Sequence, residues 1–517
     1  MKGISLQQRG ERRVAAALRV ALAALLLALQ IGLIVLLAFL LKQYAAIVYA
    51  MLQIAGLAAA VGIYNRRGDA MYKTTWIILI LTVPVVGFIL FLLWGYGAEQ
   101  RRLSRLLPPR SDEPESVRLR GELNADRLAR AMPQWARLSR SLRRREFPVY
   151  QNTAAAYFSD GKAFLGDIFD KCASAQRFIF LEYFILAEGE LWDILFDILR
   201  DRARAGVEVR VIFDDFGNLR RFRGETIDAL RDAGAEVVVF NPVHKYVNRL
   251  YFNYRDHRKI ACVDGDWAWT GGVNVADEYA NLITRFGYWK DSGVRLEGDG
   301  AWGLTAAFLD MWRMLAGEPN HERDYYRPHG ETRAEGWCQI FTDGPLGNPD
   351  HPAEDVYLQL ITGARRFLYI TTPYFIPDAE TLRALCVAGD GGVDVRLMLP
   401  RIPDHRFTDI VAESYFGELM EHGVKVYRYT PGFLHQKVVM ADREVAMIGS
   451  VNLDYRSFQL HFECGVLLYG SPAVEEVLED LDEVAARSQS VTPEDWAKRK
   501  WYRRAAEPLM RIFAIWM

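Results

Sequence analysis

One eight-residue pattern, H-x-K-x-x-x-x-D, occurs twice in this chain, and the duplication constrains the fold more than any other feature. His257-Arg258-Lys259 is followed by Asp264, and His435-Gln436-Lys437 by Asp442. Matching clusters lie downstream, Gly271-Gly272-Val273-Asn274 and Gly449-Ser450-Val451-Asn452. The His, Lys, Asp and Asn of the first set each precede their counterparts by 178 residues. With nine His in the chain and roughly 6% each of Lys and Asp, about 0.03 chance matches are expected. Coincident flanks make the repeat an internal duplication.

The duplication extends into the surrounding pattern. Apolar runs of strand length begin at Arg177 and Arg366, and an amphipathic stretch follows each. Further strand signals start at Gly206 and Gly392, at Ala235 and Gly423, at the motifs (Arg258 to Val263, Gln436 to Met440), and at Ser292 and Cys464. Strands alternating with helical stretches predict an α/β fold of βαβ units with a largely parallel sheet in each half.

His and Lys two apart on a strand project from one face. Two copies meeting at a pseudo-two-fold axis place two imidazoles and two ammonium groups around one pocket. That set suits phosphoryl chemistry: one His attacks phosphorus, the other protonates the leaving oxygen, and Lys259 and Lys437 stabilise the developing charge. Asn274 and Asn452 are candidate donors to the phosphoryl oxygens. A nucleophilic His needs its second nitrogen held by an acceptor; Asp291 and Glu463, beside the last strand of each half, are the candidates. Asp264 and Asp442 belong to the motif, but five residues beyond the Lys they fit a bracing role better than a chemical one. A catalytic metal is not expected. H-E-x-x-H, C-x-x-C and tight His/Cys clusters are absent from the sequence, and Lys beside each His repels a cation.

At these residues, over roughly 150 to 490, the chain resembles the phospholipase D superfamily, whose hallmark is the duplicated motif. Tyr254–Ile260, Gly271–Tyr279, Thr372–Pro377 and Gly449–Ser457 resemble its bacterial cardiolipin synthase branch. The resemblance implies two phospholipase D-like βα sandwich halves. It also implies metal-free, cofactor-free phosphatidyl transfer through a phosphohistidine, with phosphatidylglycerol as substrate and cardiolipin and glycerol as products. It favours His257 as nucleophile. Asp256 departs from the branch, which more usually carries Asn there; its charge is expected to raise the basicity of His257. Gly272 opposite Ser450 makes any hydroxyl contribution one-sided. A membrane-bound phospholipase D-type hydrolase or nuclease would use the same residues.

Three uncharged apolar stretches occupy the N-terminal hundred residues. Val20–Leu41 carries Gln30 as its only strongly polar residue, and Thr75–Trp94 contains Pro84 and Gly87. Both are long enough to span a hydrocarbon core of about 30 Å. Ala-rich Tyr44–Tyr64 either spans or packs against them. These predict a multi-pass anchor in a bacterial inner membrane; two spans leave the catalytic part inside and three put it outside. Basic residues lie ahead of the first stretch and on both sides of the last, so they leave that choice open. The predicted organisation is a membrane region (1–100), an Arg-rich linker (101–150), two halves (151–335, 336–490) and a basic-aromatic C-terminal segment (491–517). The linker holds thirteen Arg against five acids between Arg101 and Arg145, which fits either a solvated helical linker or a lipid-surface element. The last segment fits an interfacial helix or one packed on the domain.

A net charge of −2 gives no global attraction for nucleic acid, and no nucleic-acid partner is expected. The five scattered Cys read as buried free thiols rather than a disulfide framework.

Overall fold

A computed structural model describes residues 44–65, 70–94, 115–219, 221, 224–242, 254–317, 323–330, 332–346 and 351–512, with a few positions between 25 and 36. The chain forms two compact units, and residues 104–242 and 253–514 make up the larger. Within it the apolar run after Arg177 becomes strand Phe178–Tyr183, followed by helix Glu190–Arg204 and strand Glu208–Asp214. The run after Arg366 repeats this as Phe367–Thr371, helix Ala379–Asp390 and Asp394–Pro400. Asp378 caps its helix by accepting from the Thr381 N–H, satisfying one of the orphan donors of the first turn.

The sheets are mixed, which corrects the largely parallel expectation. In the first half the strand order is Thr153–Phe158, Gly293–Gly298, Trp267–Gly271, Lys259–Val263, Phe178–Tyr183, Glu208–Asp214, Glu236–Phe240. Only the last three run parallel to one another. Lys259–Val263 turns back through Asp264 and Gly265, both at positive φ, into Trp267–Gly271. So short a connection can only join antiparallel strands. The second half repeats the hairpin as Val438–Ala441 and Val445–Gly449. Phe180 stacks on Phe308 of helix Ala301–Ala316 at 4.7 Å, which covers the first sheet with Trp302 and Trp312 also buried.

The halves exchange strands. Arg255–Asp256 leaves the first half to pair in parallel with His461–Phe462 of the second. Gly432–Leu434 of the second half pairs with Tyr288–Lys290 of the first. This crossing explains a second correction: His257 and His435 sit just ahead of strands Lys259–Val263 and Val438–Ala441 rather than on them.

Where it is described, the Arg-rich linker forms two helices with many exposed positions and a few buried anchors. Helix Glu115–Ala131 lies against Pro148–Tyr150, with Asn124 donating to the Val149 carbonyl at 3.1 Å, and after a short turn helix Ala136–Arg143 packs on helix Pro352–Gly363 of the second half. Trp135 is buried and donates to Glu444 at 2.7 Å, Gln134 donates to Asp442 at 2.8 Å, and Arg145 pairs with Asp355. The C-terminal segment packs as well. The Trp496 indole donates to the Glu413 carbonyl at 3.2 Å, and Arg511 of helix Trp501–Ile512 donates to Ser414. All five Cys are buried and unpaired.

In the smaller unit, helix Ala45–Tyr64 is followed by Ala70–Thr82 and Pro84–Trp94. The stretch expected to form one span over Thr75–Trp94 is instead bent into a hairpin. Pro84 cannot continue the preceding helix, and Trp76 and Phe91 meet across the bend at 5.3 Å between ring centroids. Gly87 permits the close approach, because a Cβ there would lie 2.6 Å from the Leu79 carbonyl oxygen. Gln30, the polar residue of the first apolar stretch, accepts from the Val86 N–H at 3.0 Å, near the start of the helix that Pro84 opens. Among the described residues, no helix is long and apolar enough to cross a membrane. The expected span Val20–Leu41 lies largely outside the described residues.

Docking of Trp135 on the second half predicts that Trp135→Ala destabilises the larger unit by about 3 kcal/mol. Thermal unfolding of the purified protein checks this; an unchanged transition would contradict the docking.

Candidate active site

The exchanged strands deliver each motif histidine to the opposite half. The His257 N–H donates to the Phe462 carbonyl at 2.9 Å, and the His435 N–H to the Lys290 carbonyl at 2.8 Å. The next residue in each case is the orienting acid. His257 Nδ1 lies 2.9 and 3.1 Å from the two Glu463 oxygens, and His435 Nδ1 lies 2.6 Å from Asp291 Oδ2. Each of the two acids named from the sequence thus lies against the histidine of the other half. With Nδ1–H given to a carboxylate, Nε2 of each ring keeps its lone pair for chemistry.

The lysines complete the cluster. Lys259 Nζ donates to the His257 carbonyl at 2.5 Å, and Lys437 makes the matching bond to the His435 carbonyl. Lys437 Nζ also stands 2.9 Å from His435 Nδ1; the shorter contact to Asp291 makes that nitrogen the donor to the carboxylate. All six groups are buried. Burial pushes Lys259 down to about 8 against the pull of Glu463 and Asp291, and it pushes Lys437 down to about 7 with help from Lys259. Burial, then the neighbouring ammonium groups, holds both histidines well below their usual value, so both rings are neutral at pH 7. Burial raises Asp291 to about 6 despite Lys437.

The remaining predicted residues divide by role. Asp264, at φ +54°, accepts from the N–H groups of Gln176, Arg177 and Phe178. Asp442, at φ +56°, accepts from those of Arg365, Arg366 and Phe367 and from Gln134. Burial raises the Asp442 carboxyl, but these donors outweigh it and hold the group below the usual range. Both motif aspartates thus fasten the turn after the motif strand to the start of the neighbouring strand. Asn274 is engaged at both ends, accepting from the Ile185 N–H at 3.0 Å and donating to the Tyr279 hydroxyl at 2.7 Å. Asn452 is buried, and its Oδ1 has no hydrogen-bond partner. Asp256 does not answer to His257. Its carboxylate lies 3.3 Å from Arg258, which in turn lies 2.5 Å from the buried Glu182, so its charge is neutralised away from the imidazole.

The halves differ in how they hold their acids. Ser450 and Ser457 donate hydroxyl hydrogen bonds to Glu463, the latter at 2.8 Å. At the matching position Gly272 leaves room for the acid, because a Cβ there would sit 2.1 Å from Asp291 Oδ1. The walls differ too. His435 is surrounded by Tyr279, Trp289 and Phe433 at centroid distances of 5.4, 5.4 and 5.6 Å. His257 faces Phe184 at 5.2 Å and His461 at 5.5 Å. Sequence reasoning missed Ser457 and His461, since neither belongs to the repeated pattern. His257, His461 and Glu463 bring ligand-type atoms within 4.8 Å of one another, but Glu463 is already taken by His257 and two hydroxyls.

The fold and the paired site define a phospholipase D-like protein with both motifs in one chain. The sequence profile of the cardiolipin synthase PLD-like domain matches residues 168–283 and 357–485, and that of the phospholipase D-nuclease N-terminal region matches 54–95. The chain is 37% identical over 442 residues to an uncharacterized protein of Streptococcus mutans, covering 84% of this chain and 94% of that one. It is 33% identical over 476 residues to the major cardiolipin synthase ClsA of Bacillus subtilis, covering 89% and 96%. The crystal structure of phosphatidylserine synthase from Haemophilus influenzae shares the fold, with a TM-score of 0.53 at 16% identity over 71% of this chain and 96% of that one. The chain belongs to the bacterial cardiolipin synthase family of the phospholipase D superfamily.

The cluster's electrostatics and its unity can each be tested. Because kcat/KM reports the free enzyme, it should fall at least roughly tenfold between pH 7 and 9.5 as Lys437 and then Lys259 lose their protons; a flat profile to pH 10 would contradict this. Replacing His257 or His435 by Ala should each abolish nearly all turnover, and the double variant should be little worse than either. A single variant keeping about a tenth of the wild-type rate would break the shared-site account.

Proposed function

We propose that the protein is a phosphatidyltransferase that joins two phosphatidylglycerol molecules, releasing glycerol and forming cardiolipin. The observation that carries the reading is the crossed pairing of two neutral histidines with two acids beside two buried lysines. His257 Nε2 attacks the lipid phosphorus, the bond to the glycerol oxygen breaks, and that oxygen takes a proton from His435. The entering phosphodiester's negative charge supplies the reason for His435 to carry that proton. Lys259 and Lys437 face the anionic oxygens as charge builds, and Asn452 supplements them. A second lipid's terminal hydroxyl then passes its proton to His435 while its oxygen displaces His257.

Asymmetry supports His257 as the nucleophile. A phosphorylated imidazole that keeps Nδ1–H is cationic and favours an acid held firmly in place, and Glu463 accepts from two serine hydroxyls. Asp291, raised to about 6, suits the histidine that cycles its proton. The two phospholipase D-like halves act as a pseudo-two-fold pair, and Asp264 and Asp442 hold its frame. The proposed organisation is a membrane region over 1–100, a linker over 101–150, halves over 151–335 and 336–490, and a C-terminal segment over 491–517. The apolar N-terminal stretches hold the catalytic unit at a bacterial cell membrane, where the acceptor lipid is concentrated.

Incubation of purified protein with phosphatidylglycerol, followed by lipid mass spectrometry, tests the reading. Cardiolipin and glycerol are expected, with transfer persisting in EDTA because the lysines supply the charge a divalent ion provides elsewhere. Phosphatidic acid as the sole product would make the protein a hydrolase, and loss in EDTA restored by one metal would overturn the site chemistry.

A further inference from the structure

His461 lies outside the repeated motif, yet it occupies a defined place in the repeat. The Lys290 and Phe462 carbonyls accept the two motif-histidine N–H groups, so the residues just before them, Trp289 and His461, are counterparts. Each stands beside the motif histidine of the other half, Trp289 at 5.4 Å from His435 and His461 at 5.5 Å from His257. The first half fills this position with an indole and the second with an imidazole. Packing alone does not call for that change, since an apolar ring already serves at the matching site.

The imidazole is poised as an acceptor. Its Nδ1 is shut off from solvent, lies 3.7 Å from Glu463 Oε1 and makes no hydrogen bond. The side chain keeps 13% exposure, so the accessible part of the ring lies at its other atoms. Burial, reinforced by Arg456 and His257, pushes its pKa down to about 3 despite Glu463, so the ring is neutral across the working range. With a carboxylate on the Nδ1 side, the proton belongs on Nδ1 and the lone pair on Nε2.

Resting on the transferase reading above, we propose that His461 binds the secondary hydroxyl of the incoming headgroup and so selects vicinal diols as acceptors. The secondary hydroxyl donates to His461 Nε2 and keeps its proton. The adjacent terminal oxygen forms the new P–O bond, the P–Nε2 bond to His257 breaks with its electron pair returning to the ring, and the terminal hydroxyl's proton passes to His435. One headgroup thus makes two contacts, and only one of them is available to water or a simple alcohol.

Competition between soluble acceptors tests this, with the full chain in detergent and phosphatidylglycerol as donor. Equal concentrations of 1,2-propanediol and 1-propanol are supplied, and the two phosphatidyl-alcohols are quantified by mass spectrometry. The wild type should favour the diol by roughly tenfold, the worth of one hydrogen bond that leaves a polar group unmatched when absent. His461→Leu should bring the ratio near one, and His461→Gln, which keeps an acceptor, should recover part of it. The ratio is internal to each reaction and is unaffected by how much total activity a variant keeps. A wild type without diol preference would overturn the proposal with no variant needed, as would a Leu variant with the wild-type ratio. Phosphatidic acid as the only wild-type product would instead sink the transferase reading on which the proposal stands.

Discussion

Each motif histidine is held by a carboxylate from the opposite half of the repeat, and the rest of the larger unit is arranged to make that exchange possible. Arg255–Asp256 and Gly432–Leu434 must leave their own sheets for the parallel pairings that carry His257 and His435 across. Neither half supplies the acid for its own motif histidine. The arrangement also gathers two lysines, two histidines and two acids into one buried cluster, where an unpaired charge costs several kcal/mol and removal of one partner typically costs 3–5 kcal/mol. The depressed lysines and histidines are the signature of that burial, which in the proposed reaction the substrate's phosphate relieves.

The two halves reach one geometry by different residues. Glu463 is long and is fixed by the Ser450 and Ser457 hydroxyls; Asp291 is shorter and sits where any side chain at Gly272 would collide with it. One histidine is boxed by three aromatic rings, while the other shares its wall with a third imidazole. A duplicated scaffold has thereby acquired two unequal ends. Such inequality suits the distinct nucleophile and acid-base roles proposed for the two histidines.

Much of this was legible in the sequence, because the repeat reports on itself. A constant spacing of 178 residues located both motifs, and apolar runs after Arg177 and Arg366 placed the central strands within a residue or two. The crossing of halves was not legible, since Asp291 and Glu463 are near their own motifs in sequence and only strand exchange assigns them to the other. The antiparallel hairpins were missed because a buried strand such as Val445–Gly449 has no alternation to distinguish its direction. The anchoring of residues 134–145 was not legible, because the surrounding arginines suggest solvent, while Trp135 and Gln134 reach the second half. Pro84 was read as tolerated within a span, but with Gly87 three residues on it folds the stretch back on itself. His461 belongs to no repeated pattern, and only its distance from His257 discloses it.

The most direct test of the crossed pairing is ¹⁵N NMR of histidine-labelled protein, comparing wild type with Asp291→Asn and Glu463→Gln. Removing the Asp291 carboxylate should shift the imidazole resonances of His435, in the opposite half, and leave His257 largely undisturbed; Glu463→Gln should do the reverse. Resonances of His257 moving with Asp291, and those of His435 with Glu463, would mean that each half orients its own histidine, and the exchange between halves would be wrong.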